Sequence, residues 1–185
     1  MTATSAVRPG YVVSYPNREK RSSRTTRAAV IVVLLISVAL IAVVAVGGWS
    51  ELAGLKAVNL AWCAAYLVIA FYVHRWARGP LPIAAALACL MLATSVIAGT
   101  GVTGAGWFDR AQPGYAPPNS IFGFPGLSAS LLGVLTLLIA PVQLALAVLA
   151  ARAFTQAWNV EVEVPADAAR PPHAPGASRA SLKGR

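Results

Sequence analysis

The chain has 185 residues, of which 57% are hydrophobic and only 11% charged, and its mean hydropathy is +0.66. A soluble domain usually carries about 25% charged residues, so this composition excludes an ordinary water-soluble globule and points to a chain solvated largely by lipid. The formal net charge is +9, from 15 Lys and Arg against 6 Asp and Glu. The basic residues flank apolar runs, so they read as topology signals and not as a nucleic-acid footprint.

Residues 1–27 are polar and basic with no apolar period, which predicts a disordered tail. The first apolar run, 28–48, reads AAVIVVLLISVALIAVVAVGG. A helix of about 20 apolar residues crosses the hydrocarbon core. The run is longer than the h-region of a cleaved signal peptide, about 7–15 residues, and three more runs follow, so it is expected to remain as an anchor. The second span, 57–73, lies between Lys56 and His74-Arg75, with Trp62, Tyr66, Tyr72 and Trp76 as rings suited to the interfaces. Asn59, Cys63, Tyr66 and Ala70 fall on one helix face, expected to look into a bundle, while Leu60, Leu67 and Phe71 face lipid.

The third span, 81–98, follows Gly79-Pro80-Leu81-Pro82, and proline is tolerated in a first helical turn because the missing N–H has no partner there anyway. Spans two and three thus form a helical hairpin across the turn HRWARGP. Ala84, Ala88, Ser95 and Ala98 give span three a face of small residues, with Met91 in the same stripe. The fourth span, 127–151, carries the clearest packing signal. Ala129, Gly133, Thr136, Ala140, Gln143, Ala147 and Ala150 repeat at alternating spacings of four and three. Small and polar side chains in such a seam mark a helix–helix interface in lipid, where close backbone approach and interhelical hydrogen bonds drive association. Pro141 predicts a kink.

Between spans three and four lies an outer loop, 100–126, punctuated by Gly and Pro. Its aromatic residues suit a segment lying on the headgroup layer or capping the bundle; a ligand-binding lid is the sharper alternative. Trp107, Asp109, Arg110 and Tyr115 are its candidate site residues. Asp109 with Arg110 suggests a catalytic carboxylate beside a phosphate-binding guanidinium, but no neighbouring base or metal ligand accompanies them, and a local ion pair explains them more simply. After span four comes WNVEVEV, 158–164, whose Val/Glu alternation has the period of a strand. A lone short strand is unstable, so this segment is either paired or merely an extended juxtamembrane stub. Residues 165–185 are rich in Pro, Ala and Arg and are expected to be disordered.

With four spans, the N-terminal tail, the turn after span two and the C-terminal segment share one face. They hold thirteen of the fifteen basic residues, leaving Lys56 and Arg110 on the other. The positive-inside rule then places both termini in the cytoplasm. Arg18, Lys20, Arg21, Arg24 and Arg27 are positioned to touch anionic inner-leaflet lipids.

No Asp, Glu, Lys or Arg lies inside a predicted span, which argues against a proton-coupled pump. Cys63 and Cys89 fall within spans and no Cys/His cluster exists, so neither a disulfide, a metal site nor a cofactor is expected. His74 sits at a helix end and His173 in a polar tail. No phosphate loop, nucleophile elbow or zinc-hydrolase motif occurs.

The turn RWARGPLP, the outer WFDR, the span-four core LLGVLTLLIAPVQ and the exit AWNVEVEV resemble those of small four-helix membrane proteins of unknown function from high-GC bacteria, over roughly residues 49–164. That resemblance implies a plasma-membrane location and no particular activity. The expected fold is all-α: a bundle of four transmembrane helices, within a transmembrane domain of residues 28–157, with disordered cytoplasmic termini. The expected function is that of a non-enzymatic accessory or interaction subunit, bound to other membrane proteins or to itself. The alternatives are a small oligomeric transporter or permease subunit, with Gln143, Asn59 and the Pro141 kink along its path, and a membrane enzyme using Asp109 and Arg110.

Overall fold

The computed structural model of the protein describes residues 8–52, 55–100 and 119–166. In chain order the elements are β1 (Tyr11–Ser14), α1 (Pro16–Glu19), α2 (Arg21–Gly47), α3 (Lys56–His74), α4 (Pro80–Thr100), α5 (Ala129–Thr155) and β2 (Val162–Pro165). The four long helices are each long and apolar enough to cross a membrane, and they pack together as one bundle. This is a multi-pass membrane protein.

Each long helix buries one narrow stripe. On α2 it runs Val30, Leu34, Ser37, Ile41 and Val44; on α4, Leu81, Ala84, Ala88, Met91 and Ser95; on α5, Leu132, Thr136, Ile139, Gln143, Leu146, Ala150 and Ala153. Spacings of three and four alternate throughout, which keeps one seam facing its neighbours. The opposite faces are also apolar and exposed: Leu35, Leu60, Phe71, Ile83, Leu90, Leu144 and Val148 all point away from the core. A helix that is apolar all round has its outer face solvated by lipid.

The bundle is uneven. α5 packs along most of α4 and also on α2, and α2 packs on α3, but α3 touches α4 at few points although a short turn joins them. α4 and α5 can lie close because small residues line their contact. A Cβ added to Gly99 would sit 2.6 Å from Leu137 Cγ and 3.2 Å from the Leu137 backbone nitrogen, so only glycine permits this approach. Gly133, within the seam predicted on span four, has nothing within 4 Å of such a Cβ. α5 starts with Ser128, whose hydroxyl accepts from the Leu131 N–H, and it runs unbroken through Pro141, which is exposed.

The helices overrun the predicted apolar spans at the end that carries the chain termini. α2 begins at Arg21, and Ser23 and Thr26 are already buried in its first turns; α5 continues to Thr155. Residues 11–27 therefore depart from the expected disordered tail. The physical reason is pairing across the chain: β1 runs antiparallel to β2, with Tyr11 opposite Pro165 and Ser14 opposite Val162. The strand-like period of residues 158–164 thus has its partner, one that lies near the other end of the sequence. At the far end, residues 119–127 fold back over α2. The N–H groups of Ile121 and Leu127 donate to the carbonyls of Val46 and Gly47, which satisfies acceptors that a helix end leaves unpaired.

Gly99→Leu should push α4 from α5 and lower the midpoint of thermal or SDS-induced unfolding, by about 2 kcal/mol or more as overpacking of a close contact. Gly133→Leu should change it by less than about 0.5 kcal/mol, as for a substitution into open space.

Candidate functional site

Three arrangements of polar groups stand out against the apolar background. The first is a network at the centre of the bundle. The Tyr66 hydroxyl on α3 donates to Gln143 Oε1 on α5 at 2.7 Å, Gln143 Nε2 donates to Ser37 Oγ on α2 at 3.0 Å, and the Ser37 hydroxyl donates to the Val33 carbonyl at 2.8 Å. Tyr66, Gln143 and Ser37 are each completely buried. One side-chain amide, using both its donor and its acceptor, thus ties three helices together. Interhelical hydrogen bonds of this kind are worth about 0.6 kcal/mol on average in a membrane and up to about 2 kcal/mol.

The second is a cavity of about 150 Å³ in the half of the bundle away from the termini, walled by Ile41, Val44, Val58, Met91 and Ile139, with Asn59, Trp62, Thr94, Ser95 and Thr136 as its polar lining. Its origin is visible along α3. The face that buries Tyr66, Ala70 and Val73 nearer the termini is only half-buried at Asn59 and Trp62, where α3 stands apart from α4. Most hydroxyls in the long helices return a hydrogen bond to their own backbone: Ser37 to Val33, Thr94 to Leu90, Ser95 to Met91 and Thr100 to Val96. Thr136 does not. Among the described residues, its hydroxyl and the Trp62 indole N–H are buried with no hydrogen-bond partner. An unsatisfied buried polar group costs about 1–3 kcal/mol.

The third arrangement is a cap at the terminal end. Trp158, just past α5, is completely buried and meets Trp76 edge-on, with centroids 5.5 Å apart. Its indole N–H donates to Gln156 Oε1, whose own amide donates to the Thr26 hydroxyl. Arg18 Nε donates to the Trp158 carbonyl at 3.0 Å, and Asn17 Nδ2 to the Ala157 carbonyl at 3.1 Å. The Arg27 guanidinium lies 4.2 Å over the Trp76 ring while donating to the His74 carbonyl, and that of Arg78 lies 4.0 Å over Phe154. Trp76 and Ala157 both take positive φ, 64° and 48°, a conformation usually left to glycine after a helix end. The aromatic packing just described holds both turns there.

The predicted site residues distribute as follows. In the span-four seam, Thr136, Ala140, Gln143 and Ala150 are buried, while Ala129, Gly133 and Ala147 are half-buried. The larger Leu132, Ile139 and Leu146 occupy the positions between them in the buried stripe, because the bundle fills its interior with alternating large and small side chains. Of the predicted inner-leaflet residues, Arg18 and Arg27 turn into the cap, while Lys20, Arg21 and Arg24 are exposed. The outer-loop candidates Trp107, Asp109, Arg110 and Tyr115 lie outside the described residues. Among the described residues, no three His, Cys, Asp or Glu side chains gather as a metal site. The sequence reading passed over Ser37, Gly99 and Trp158. Ser37 carried a signal, as a hydroxyl inside a long aliphatic run. No family model, curated protein or solved structure matches this chain.

Gln143→Leu leaves the Tyr66 hydroxyl and Ser37 without their shared partner. It should lower stability by about 1–2 kcal/mol in a reversible SDS unfolding titration. Combined with Tyr66→Phe, the loss should be smaller than the sum of the two single changes, since both remove one bond.

At the cap, the Tyr15 hydroxyl donates to Glu161 Oε1 at 2.9 Å. The hydrogen bond to Glu161, a small loss of hydration and the nearby carboxylate charge hold the Tyr15 phenol above its ordinary pKa of 10.0, against a weaker opposing effect of Arg18. A raised pKa means that the contribution of this bond is present in full below the ordinary tyrosine range and is lost as the pH rises through the raised value. Alkaline tyrosinate absorbance, taken as the difference between the parent protein and Tyr15→Phe, should titrate late; Glu161→Gln should return it toward 10.

Proposed function

We propose that the protein is a non-enzymatic accessory subunit of the bacterial plasma membrane, with both termini in the cytoplasm, that engages the anionic inner leaflet and a partner chain through its terminal cap. The observation that carries this reading is that the segment before α2 and the segment after α5 fold onto each other as one surface. A two-stranded ribbon has free edges, and free strand edges accept a further strand from another chain. Here the ribbon also exposes Tyr11, Val12, Val13 and Val162. Lys20, Arg21 and Arg24 are exposed beside it, and each basic side chain near an anionic leaflet contributes about 1 kcal/mol of attraction. The thirteen-to-two asymmetry of basic residues supports the cytoplasmic side for this cap.

The transporter reading draws less support. Gln143, which would line its path, has both its polar atoms engaged in the central network, and Asn59 lines a cavity in one half of the bundle. An enzyme built on Asp109 and Arg110 has no described geometry behind it.

Two measurements in native membranes check the proposal. Alkaline phosphatase fused after residue 185 should be inactive, because it is active only when exported. A photo-crosslinking side chain at Val12 should give one discrete protein adduct, abolished by Val13→Pro, which breaks the ribbon, while the same group at lipid-facing Val148 should give none. An active phosphatase, or identical behaviour at Val12 and Val148, overturns the reading.

A further inference from the structure

The cavity at the far end of the bundle belongs to none of the cap's roles, and its chemistry is specific enough to define a ligand. Among the described residues no charged side chain lines it, so an ion would lose its hydration there without compensation. Its walls are mostly aliphatic, and its volume is about the room that a benzene-sized ring fills. It opens sideways. Leu55 and Val58 near the start of α3 and Thr94 on α4 line the cavity and are themselves exposed, where the two helices stand apart, so access is from the bilayer and not from water.

Two polar groups decide what fits. Thr136 and Trp62 both line the cavity, and among the described residues the Thr136 hydroxyl and the Trp62 indole N–H are buried without a hydrogen-bond partner. Thr136 is only 7% exposed, and it forgoes the backbone bond that Ser37, Thr94, Ser95 and Thr100 make. An indole N–H can only donate, and a hydroxyl can donate or accept. Both donors are satisfied by a molecule that presents acceptors. Asn59 gives one of its two amide N–H groups to the Leu55 carbonyl, and its amide is otherwise a third polar group on the cavity wall.

We propose that this lateral cavity binds an uncharged, lipid-soluble carbonyl compound, whose apolar body fills the space between α3 and α4 and whose carbonyl oxygen accepts hydrogen bonds from Thr136 and Trp62. The membrane offers this chemistry from two sources: the ring of a quinone, or the ester carbonyl of a glycerolipid with the first part of its chain. The site lies at the opposite end from the cap and stands whether or not the cap binds a partner.

The test uses the full chain in nanodiscs of ether-linked phospholipid, which lacks carbonyl groups. One arm titrates in 2,3-dimethyl-1,4-benzoquinone and the other a diacyl, ester-linked glycerolipid brominated on its chains. Both probes quench tryptophan on contact, and thermal unfolding is followed in parallel. Wild type should show saturable quenching and a raised unfolding midpoint with at least one probe; which probe succeeds identifies the source. Thr136→Val keeps the side-chain volume and removes the hydroxyl, so it should fold as well as wild type and bind about fivefold to tenfold more weakly, the loss of one hydrogen bond. Val58→Phe, on an exposed position at the opening, should abolish binding and leave the unfolding midpoint without ligand unchanged. Trp62→Phe should remove the saturable component of the quenching, which assigns that signal to this cavity and not to the other tryptophans. Absence of saturable change with either probe, as for a cavity that holds only water, overturns the proposal. So does binding that is equal in wild type, Thr136→Val and Val58→Phe.

Discussion

A buried amide in lipid has no water to fall back on, and the way Gln143 meets that constraint organises the bundle. Its oxygen takes the Tyr66 hydroxyl and its nitrogen gives to Ser37, so α2, α3 and α5 are fixed in rotation and height relative to one another at a single level. Apolar packing alone would not do this, because aliphatic side chains pack nearly as well against lipid tails as against each other. Hydrogen bonds with directional donors and acceptors select one arrangement among many of similar packing energy. α4 takes no part in this network. It is held on α5 by small residues and by the close approach at Gly99.

This division has a structural consequence. Three helices are locked by polar contacts and the fourth by shape, and the two mechanisms meet at the seam between α3 and α4, which neither closes. The hairpin turn brings α3 and α4 together near the termini, where Tyr66, Ala70 and Val73 are buried. Beyond Tyr66 nothing draws them together, and the space between them remains as the cavity. The unsatisfied Thr136 hydroxyl lies there, which fits the general pattern that local departures from polar satisfaction gather at functional sites.

Much of this architecture is legible in the sequence, because bilayer thickness and the helical period leave few choices. The four apolar runs, the inward face of α3 through Tyr66 and Ala70, and the small-residue face of α4 all follow from these two lengths. Gln143 is conspicuous as the one amide inside span four, yet its partners are not legible, since Ser37 and Tyr66 come from other helices and only packing brings them to one level. Helix ends are harder. The apolar run of α2 begins near Ala28, but the helix begins at Arg21, because the cap supplies contacts that hydropathy does not register. The alternation in WNVEVEV signals a strand, while its partner lies some 150 residues earlier in a segment whose own polarity suggests disorder. The cavity leaves no trace in any single segment, for it depends on how α3 leans.

The pairing of β1 with β2 also sets an order of assembly. β1 and the start of α2 are made before the groups they need, the Ala157 and Trp158 carbonyls, Glu161 and β2, all of which follow α5. The cap partners of the basic flank of α2 are thus absent throughout synthesis of the other three helices, and the cap closes only after β2 has been made. The cap is therefore a late event in biogenesis. Until it forms, Arg18 and Arg27 have only the role of a basic flank beside α2; once all four helices are in place, Arg18 fastens that flank to the segment after α5 and Arg27 fastens it to the end of α3.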